Sequence, residues 1–202
     1  GQRENLEGSE ASEEGKVKFL NELSEKAAAV ISSVTGEEYK AINPEELVSL
    51  REEFPFLNEQ KACFITLLLN GNLRGCTGSL VAHRPLLEDI ISNAYCSAFS
   101  DLRFPRLSYE EFKKIDIEIS ILTTPVKLEY ENIEDLKNKI KPFEHGVILE
   151  YQNKRATFLP QVWEQIPSFD DFFEQLSKKA GFSKSCLDLD PIICTYTTTK
   201  IK

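Results

Sequence analysis

The spacing of apolar residues predicts two long helices in the first half of the chain. In the first, apolar side chains recur every three or four residues until Gly36 ends the pattern. Pro85 begins the second. The two apolar stripes are Phe19, Leu20, Leu23, Ala27, Val30, Ile31 and Val34, and then Leu86, Leu87, Ile90, Ile91, Ala94, Tyr95, Ala98 and Phe99. Between them a shorter helix is predicted, with Asn43 as its N-cap, Pro44 as its first residue and an end near Leu50.

Two apolar segments between the long helices are joined by Asn70-Gly71, which favours the type I′ turn of a β-hairpin. With a two-residue turn, the facing pairs are Leu69–Asn72, Ile65–Cys76 and Cys63–Gly78. Cys63 then lies diagonal to Cys76, at the limit of disulfide geometry or beyond it, so we expect two thiols. A three-residue turn would instead send Cys63 to the opposite face from Cys76.

The clearest strand alternates isoleucines with polar residues over 115–121, and it places Glu118 on the face away from the isoleucines. The second half is predicted to contain a short helix over 133–140, a hairpin turning near Gln152-Asn153, a helix over about 169–180 and a strand over 192–201. The hairpin register sets Glu150 opposite Arg155. Hairpins mixed with helices are typical of an α+β fold with a mainly antiparallel sheet and packed helices.

Composition narrows the function classes. The net charge of −9 disfavours non-specific binding to nucleic acid, and no apolar run is long enough to cross a bilayer. Five cysteines without paired spacing favour a reducing compartment, so we expect an intracellular, cytoplasmic protein. Because the chain has no CxxC pair, histidine-rich cluster or nucleotide-binding loop, we expect no metal and no cofactor. Residues 1–15 are predicted to be a disordered leader or vector remnant, and residues 16–202 a single domain.

The segment LRGCTGSL, from Leu73 to Leu80, combines a cation, a thiol and two glycines. If it is extended, Arg74 and Cys76 share one face with Gly78 beside them. A guanidinium next to a thiol favours the thiolate, which attacks electrophiles, and Gly75 and Gly78 would let a ligand approach the backbone closely. The alternative is that Cys76 packs in the core, as free cysteines commonly do.

A thiolate nucleophile needs a base, and His145, just before a glycine at the start of a strand, is the candidate. The alternative for His145 is a solvent-facing side chain that caps a loop. Glu118 is interpreted either as a catalytic acid or as the partner of Arg74 or Arg103 in a structural ion pair. Arg103 could instead hold a carboxylate or phosphate through its planar fork.

LRGCTGSL resembles the LRGCIG motif of the AMMECR family, named for the Alport syndrome, mental retardation, midface hypoplasia and elliptocytosis chromosomal region. The resemblance continues through DLRFPRLS, IEISIL, EHG and FLPQVW, and it covers nearly all of 16–202. Thr77, Leu102 and Arg106 depart from the family pattern. The resemblance implies an AMMECR-like α+β fold of two similar halves, and we expect any two subdomains to meet near 113–130. Family members have no established biochemical activity, but prokaryotic ones are often encoded beside a Memo-like protein and a radical-SAM enzyme, which implies a shared pathway.

Two functions fit these residues. In the first, a cleft around RGCTG binds or modifies a small anionic ligand or an anionic group of a partner, with Cys76 as nucleophile, His145 as base, and Arg74 and Arg103 holding the anion. In the second, the protein is a non-catalytic module that binds a protein or ligand, and Cys76 only packs. A metal site of Cys63, Cys76 and His145 is disfavoured because no local ligand spacing supports it.

Overall fold

The computed structural model describes residues 25–31 and 43–201, so the predicted leader and most of the first predicted helix lie outside the described residues. The helices are α1 (25–31), α2 (Pro44–Glu53), α3 (Leu86–Phe99), α4 (Tyr109–Phe112), α5 (Ile133–Lys139), α6 (Val162–Gln165) and α7 (Phe169–Lys179). The strands are β1 (Cys63–Leu69), β2 (Asn72–Gly78), β3 (Ile115–Leu122), β4 (Val126–Lys127), β5 (Gly146–Tyr151), β6 (Lys154–Phe158), β7 (Ile192–Tyr196) and β8 (Thr198–Ile201). Short 3₁₀ helices span Pro55–Asn58 and Leu187–Leu189. None of the described helices is long and apolar enough to span a membrane.

The strands form two four-stranded sheets, ordered β2-β1-β3-β8 and β4-β7-β5-β6. The strand pairings β1–β2, β4–β7, β5–β6 and β5–β7 are all antiparallel. The predicted α+β class is therefore confirmed. The chain divides into two compact units: residues up to Ser79 with Arg84–Ile119 and Lys200–Lys202, and Leu80–His83 with Ser120–Thr199. The single domain predicted over 16–202, with subdomains meeting near 113–130, stays a prediction.

The first hairpin turns where the sequence predicts, with Asn70 and Gly71 both at positive φ and Leu69 facing Asn72. Beyond the turn, however, the predicted register is wrong by one residue. Leu68 faces Leu73 and Leu67 faces Gly75, which leaves Arg74 unopposed as a β-bulge. As a result Cys76 faces Thr66, not Ile65, and Gly78 faces Phe64, not Cys63.

Helix α3 lies against this hairpin and buries five of the eight residues of the predicted apolar stripe, namely Leu86, Leu87, Ile90, Ala94 and Ala98. The helix is rotated so that polar residues share the buried face, while Tyr95 is 39% exposed and Ile91 and Phe99 are half-buried. The buried residues are Leu86, Leu87, Asp89, Ile90, Asn93, Ala94, Ser97 and Ala98. Periodicity alone missed this because it counts a buried polar side chain as a surface residue.

The second unit follows its sequence pattern more closely. The second hairpin turns at Gln152 and Asn153, both at positive φ, and Glu150 faces Arg155 as predicted. Its core includes Trp163, whose ring stacks on Phe172 with 3.5 Å between centroids. The buried members of this core are Leu136, Ile140, Val147, Leu149, Ala156, Trp163, Phe169, Phe172, Phe173, Leu176, Cys186, Leu187 and Ile193.

The last predicted strand, 192–201, is wrong as a single element. It is interrupted at Thr197, and its two parts, β7 and β8, belong to different sheets. Thr197 bonds instead to Thr123: its carbonyl accepts from the Thr123 amide at 2.9 Å, and its own amide donates to the Thr123 hydroxyl at 2.9 Å. The threonine alternation of this segment gave no sign of the break.

Candidate functional site

The backbone of Cys76 faces outward from the edge of its sheet. β2 is the outermost strand of that sheet among the described residues. The Ser79 amide donates to the Cys63 carbonyl at 3.0 Å, which makes those two residues a hydrogen-bonded pair. Antiparallel pairs alternate, so three residues earlier Cys76 and Thr66 are a non-hydrogen-bonded pair. The amide and carbonyl of Cys76 therefore point away from β1.

Two side chains of the loop that follows α3 form hydrogen bonds with the outward-facing amide and carbonyl of Cys76. Asp101 Oδ2 accepts from the Cys76 amide at 2.9 Å, and Arg103 Nη2 donates to the Cys76 carbonyl at 3.3 Å. A carboxylate and a guanidinium thus stand where a neighbouring strand would place a carbonyl and an amide. This arrangement covers the edge of β2, the strand that carries the RGCTG motif; without it the edge would be open to pairing with another strand.

Asp101 joins the loop and the strand. Besides the Cys76 amide, its oxygens accept from the Arg103 amide at 3.1 Å, from Nε at 3.0 Å and from Nη2 at 2.7 Å. These bonds, first of all those from the Arg103 side chain, lower the pKa of the Asp101 carboxyl to about 2 although its side chain is only 7% exposed. Asp101 is therefore ionised at neutral pH and unsuited to act as a general base.

Arg74, the bulge residue, holds the same loop from another side. Its Nε and Nη2 donate to the two carboxylate oxygens of Glu111 at 2.8 and 2.9 Å, and Nη2 also donates to the Pro105 carbonyl at 3.0 Å. The ion pair with Arg74, together with bonds from Ser108, lowers the pKa of Glu111 to about 2. The Arg74 side chain is only 8% exposed and its charge is engaged by Glu111. Arg74 supports the loop, and its predicted role of holding an anion stays a prediction.

The Cys76 thiol is half-buried, and its Sγ lies 3.3 Å from the hydroxyl of its cross-strand neighbour Thr66. The charge of Arg103 acts on this thiol. Asp101 above all raises the pKa of the Arg103 guanidinium, and a negative charge on Cys76 acts in the same direction. The predicted proximity of guanidinium and thiol is thus provided by Arg103, from the loop.

The two motif glycines are explained by contacts within the protein. A Cβ on Gly75 would collide with the backbone carbonyl of Ser97 in α3, and one on Gly78 would collide with the Phe64 ring and the Cys63 carbonyl. The close approach that these glycines permit is therefore that of helix to strand and of side chain to strand. The expectation that they also let a ligand approach the backbone stays a prediction.

Three polar residues of α3 that hold the β1–β2 hairpin in place were not predicted from the sequence. They are Asp89, Asn93 and Ser97, spaced four residues apart on the buried face of α3. Asp89 accepts from the Cys63 amide at 2.9 Å, and Asn93 donates to the Cys63 carbonyl at 3.1 Å. Ser97 donates to the Ile65 carbonyl at 2.8 Å and accepts from the Thr77 amide at 2.9 Å. A polar repeat of four within an apolar helix was the available signal.

Cys63 belongs to this buried network and not to the candidate site. Its Sγ lies 3.7 Å from Asn93 on the α3 side of the hairpin, whereas Cys76 lies on the other face with Thr66. Burial first, and then the charge of Asp89, raises the pKa of the Cys63 thiol well above its ordinary value. The two cysteines are free thiols, as predicted, and it is the bulge that separates them by face.

Glu118 is nearly buried, and its ion pair is with Lys200 at 2.8 Å, not with either of the predicted arginines. It lines a hollow of about 550 Å³ together with Leu68, Phe112 and Asp116; Cys76 is not among the lining residues. The catalytic role suggested for Glu118 therefore stays a prediction without support from the ion pairs of the site.

His145 belongs to the second unit. Its Nδ1 accepts from the Lys141 amide at 3.2 Å, and its carbonyl accepts from the Trp163 indole at 2.9 Å. Burial lowers the pKa of the ring. Because both histidines of the chain, His83 and His145, fall in the second unit, the first contains no histidine. The pairing of His145 with Cys76 stays a prediction. In the described part of the chain, no group of three or more His, Cys, Asp or Glu side chains could hold a metal ion.

The fold and the motif strand can now be compared with known proteins. The crystal structure of an uncharacterised protein, PH0010, from Pyrococcus horikoshii has the same fold: the TM-score is 0.78 at 29% identity, over 91% of this chain and 90% of that one. A protein of Methanothermobacter thermautotrophicus is 35% identical over 143 residues, 68% of this chain and 72% of that protein. One from Methanosarcina mazei is 33% identical over 171 residues, 82% and 84% of the two chains.

A family model described as AMMECR1 matches residues 14–201. The chain therefore belongs to the AMMECR1 family, and the resemblance noted from its motifs is confirmed.

Proposed function

We propose that the first unit recognises an anionic group, carboxylate or phosphate, at the loop from Asp101 to Leu107, hereafter the 101–107 loop. The observation that carries the proposal is that this loop presents Arg103 and Arg106 to solvent on an otherwise acidic chain. The group could belong to a small ligand or to a partner protein. The pathway shared with Memo-like and radical-SAM proteins remains an expectation from the family resemblance.

Arg106 offers a charge that no ion pair with a described residue neutralises, whereas Arg103, which is paired with Asp101, offers a guanidinium nitrogen. The Arg103 side chain is 56% exposed, and its hydrogen bonds in the described structure use N, Nε and Nη2, which leaves Nη1 for a ligand. Arg106 is exposed and lies over the Phe99 ring, 5.2 Å from the centroid, with no ion pair to any described residue. Guanidinium groups suit carboxylates and phosphates because their planar fork matches two oxygens.

The loop is also held in place before any ligand arrives. The Leu107 amide donates to the Ala98 carbonyl at 2.9 Å, and the Phe104 ring lies between Arg74 and Arg103, 5.7 and 5.5 Å from the two guanidinium carbons. These contacts add to the bonds of Asp101 with the motif strand. A loop fixed in this way loses little conformational entropy on binding, which favours affinity.

Titration of nitrogen-15-labelled protein with inorganic phosphate, followed by NMR, tests the proposal. We expect saturable shifts at the amides of the 101–107 loop and at least about fivefold weaker binding for Arg106→Gln. Arg155→Gln, which removes an exposed arginine of the second unit, is the matched control and should bind as the unaltered protein does. Shifts that spread over the whole surface, or equal effects of the two substitutions, would count against the site.

A second function is favoured by one specific observation: the Cys76 Sγ has both the Thr66 hydroxyl and the positive charge of Arg103 beside it. Both would stabilise a thiolate, so Cys76 could act as a nucleophile. Alkylation of Cys76 followed against pH decides this. A reactive thiolate gives a rate that levels off well below pH 8, whereas a packing cysteine titrates near its ordinary value of about 8.5.

A further inference from the structure

We infer that the anionic group recognised at the 101–107 loop belongs to a protein segment in which acidic side chains alternate with apolar ones, and not to a free small molecule. The inference rests on the proposed function and specifies its partner. It comes from aromatic and aliphatic side chains near Arg106, at the end of α3 and on the 101–107 loop. Tyr95, Phe99, Leu102 and Arg106 together are hereafter called the α3-end surface.

The α3-end surface is built around the Phe99 ring. Tyr95 and Phe99, one helical turn apart, place their ring centroids 5.2 Å from each other, with the two planes tilted by 56°. The Arg106 guanidinium lies over the same Phe99 ring at 5.2 Å. These contacts connect the last turns of α3 with the loop and end in a charged group that can reach a ligand.

Leu102 extends this surface. Its side chain is fully exposed, at 100%, in the segment between the Asp101 and Arg103 pair. Leu102 is three positions after Phe99 in the sequence, so the Cα atoms of the two residues lie within about 11 Å of each other. The loop around Leu102 is fixed by the bonds of Asp101, which means that an apolar side chain is presented on a rigid support.

The composition of the surface favours a protein partner. Tyrosine, phenylalanine and arginine are enriched where proteins bind proteins: the aromatic rings offer a large contact area with few rotatable bonds, and the guanidinium adds a charge. A free phosphate or carboxylate would use the arginines and leave the rings and Leu102 without a role. An acidic segment with apolar side chains would use both, since its charges match Arg103 and Arg106.

The local charge favours an acidic partner, because Arg106 lies on this surface and has no ion pair to any described residue. A second copy of the chain is distinguished by the mass of the free protein, which self-association would raise.

Fluorescence anisotropy of two short labelled peptides with the full chain tests the inference. The first peptide alternates glutamate with leucine, and in the second each leucine is replaced by serine. We expect the leucine peptide to bind at least about fivefold more tightly. The double variant Tyr95→Ser, Leu102→Ser should lose this advantage and keep its affinity for the serine peptide. Val126→Ser, Ile192→Ser, which removes two exposed apolar side chains of the second unit, is the matched control and should retain it.

The outcomes separate the two claims. Equal affinity for both peptides, weakened in both by Arg106→Gln, would overturn the inference and leave the proposed function standing. Failure of both peptides and of inorganic phosphate to bind would overturn both. A leucine advantage that survives the double variant, or sedimentation showing a dimer that the double variant loses, would also overturn the inference. Circular dichroism of each variant confirms that it is folded.

Discussion

Replacing Asp101 by asparagine should destabilise the protein, because Asp101 bonds to both Arg103 and the Cys76 amide. Asp101→Asn keeps an oxygen that can accept from the Cys76 amide but removes the charge that Arg103 binds. The variant should therefore lose the ionic part of the interaction while its fold is retained. The difference in stability between the unaltered protein and Asp101→Asn therefore measures the contribution of the negative charge of Asp101.

The size of the loss follows from the pKa of the carboxyl. Folding lowers this pKa from 3.8 to about 2, mainly through the side-chain bonds with Arg103. At about 1.4 kcal/mol per pKa unit, the shift corresponds to roughly 2.5 kcal/mol. Arg103 is more than half exposed, so solvent screens part of the attraction, and we expect a loss of about 1–2 kcal/mol near neutral pH.

The direction of this pKa shift determines how the stability changes with pH. A carboxyl whose folded pKa lies below its unfolded pKa contributes stability above the unfolded value and loses it as the pH falls through the folded one. Asp101 therefore stabilises fully above about pH 5, retains roughly half of its contribution near pH 3 and loses the rest below about pH 2. The stability difference between the two proteins should shrink accordingly.

Urea unfolding followed by circular dichroism at several pH values measures this difference. Hydrogen exchange at the Cys76 amide should also be faster in Asp101→Asn because its acceptor is weakened. In a double-mutant cycle with Arg103→Gln, the two effects should not add, since both substitutions break one ion pair. A difference that is constant between about pH 6 and pH 3, or purely additive effects, would refute the reasoning.

Two further predictions follow from packing and burial. Gly75→Ala should destabilise the protein by about 1–3 kcal/mol in urea unfolding, because the added methyl meets the Ser97 carbonyl and helix backbone cannot yield as a side chain can; an unchanged midpoint would contradict the close approach. In the native protein iodoacetamide should modify Cys76 well before Cys63, because Cys63 is fully buried and its thiol pKa is raised. Mass spectrometry of peptides distinguishes the two cysteines, and equal rates of modification would mean that the hairpin faces are misassigned.

Much of the fold was predictable where a local signal determines it. Asn70 and Gly71 define a turn by their own backbone preferences, and Asn43 and Pro44 begin their helix where the sequence indicates. The bulge at Arg74 was not predictable in this way. The side chain of Arg74 pairs with Glu111, 37 residues further along the chain, and such a contact has no local signature.

The same bulge decided which parts of the candidate site could be anticipated. The sequence singled out Cys76, Arg74 and Arg103; in the structure the charge of Arg103 acts on the thiol, while Arg74 pairs with Glu111. A shift of one residue changes the pairing of every side chain beyond it. Likewise, Asp89 and Ser97 were overlooked because a buried polar residue in a helix looks like a surface residue until its backbone partner is known.

The central claim is that Arg106 and its neighbours on the 101–107 loop bind an anionic group, and a charge exchange tests it most directly. The affinities of the glutamate–leucine peptide and of its lysine–leucine counterpart would be measured for the unaltered protein and for Arg106→Glu. We expect the unaltered protein to prefer the acidic peptide, and Arg106→Glu to lose that preference and gain affinity for the basic one. Identical preferences in the two proteins would contradict the claim.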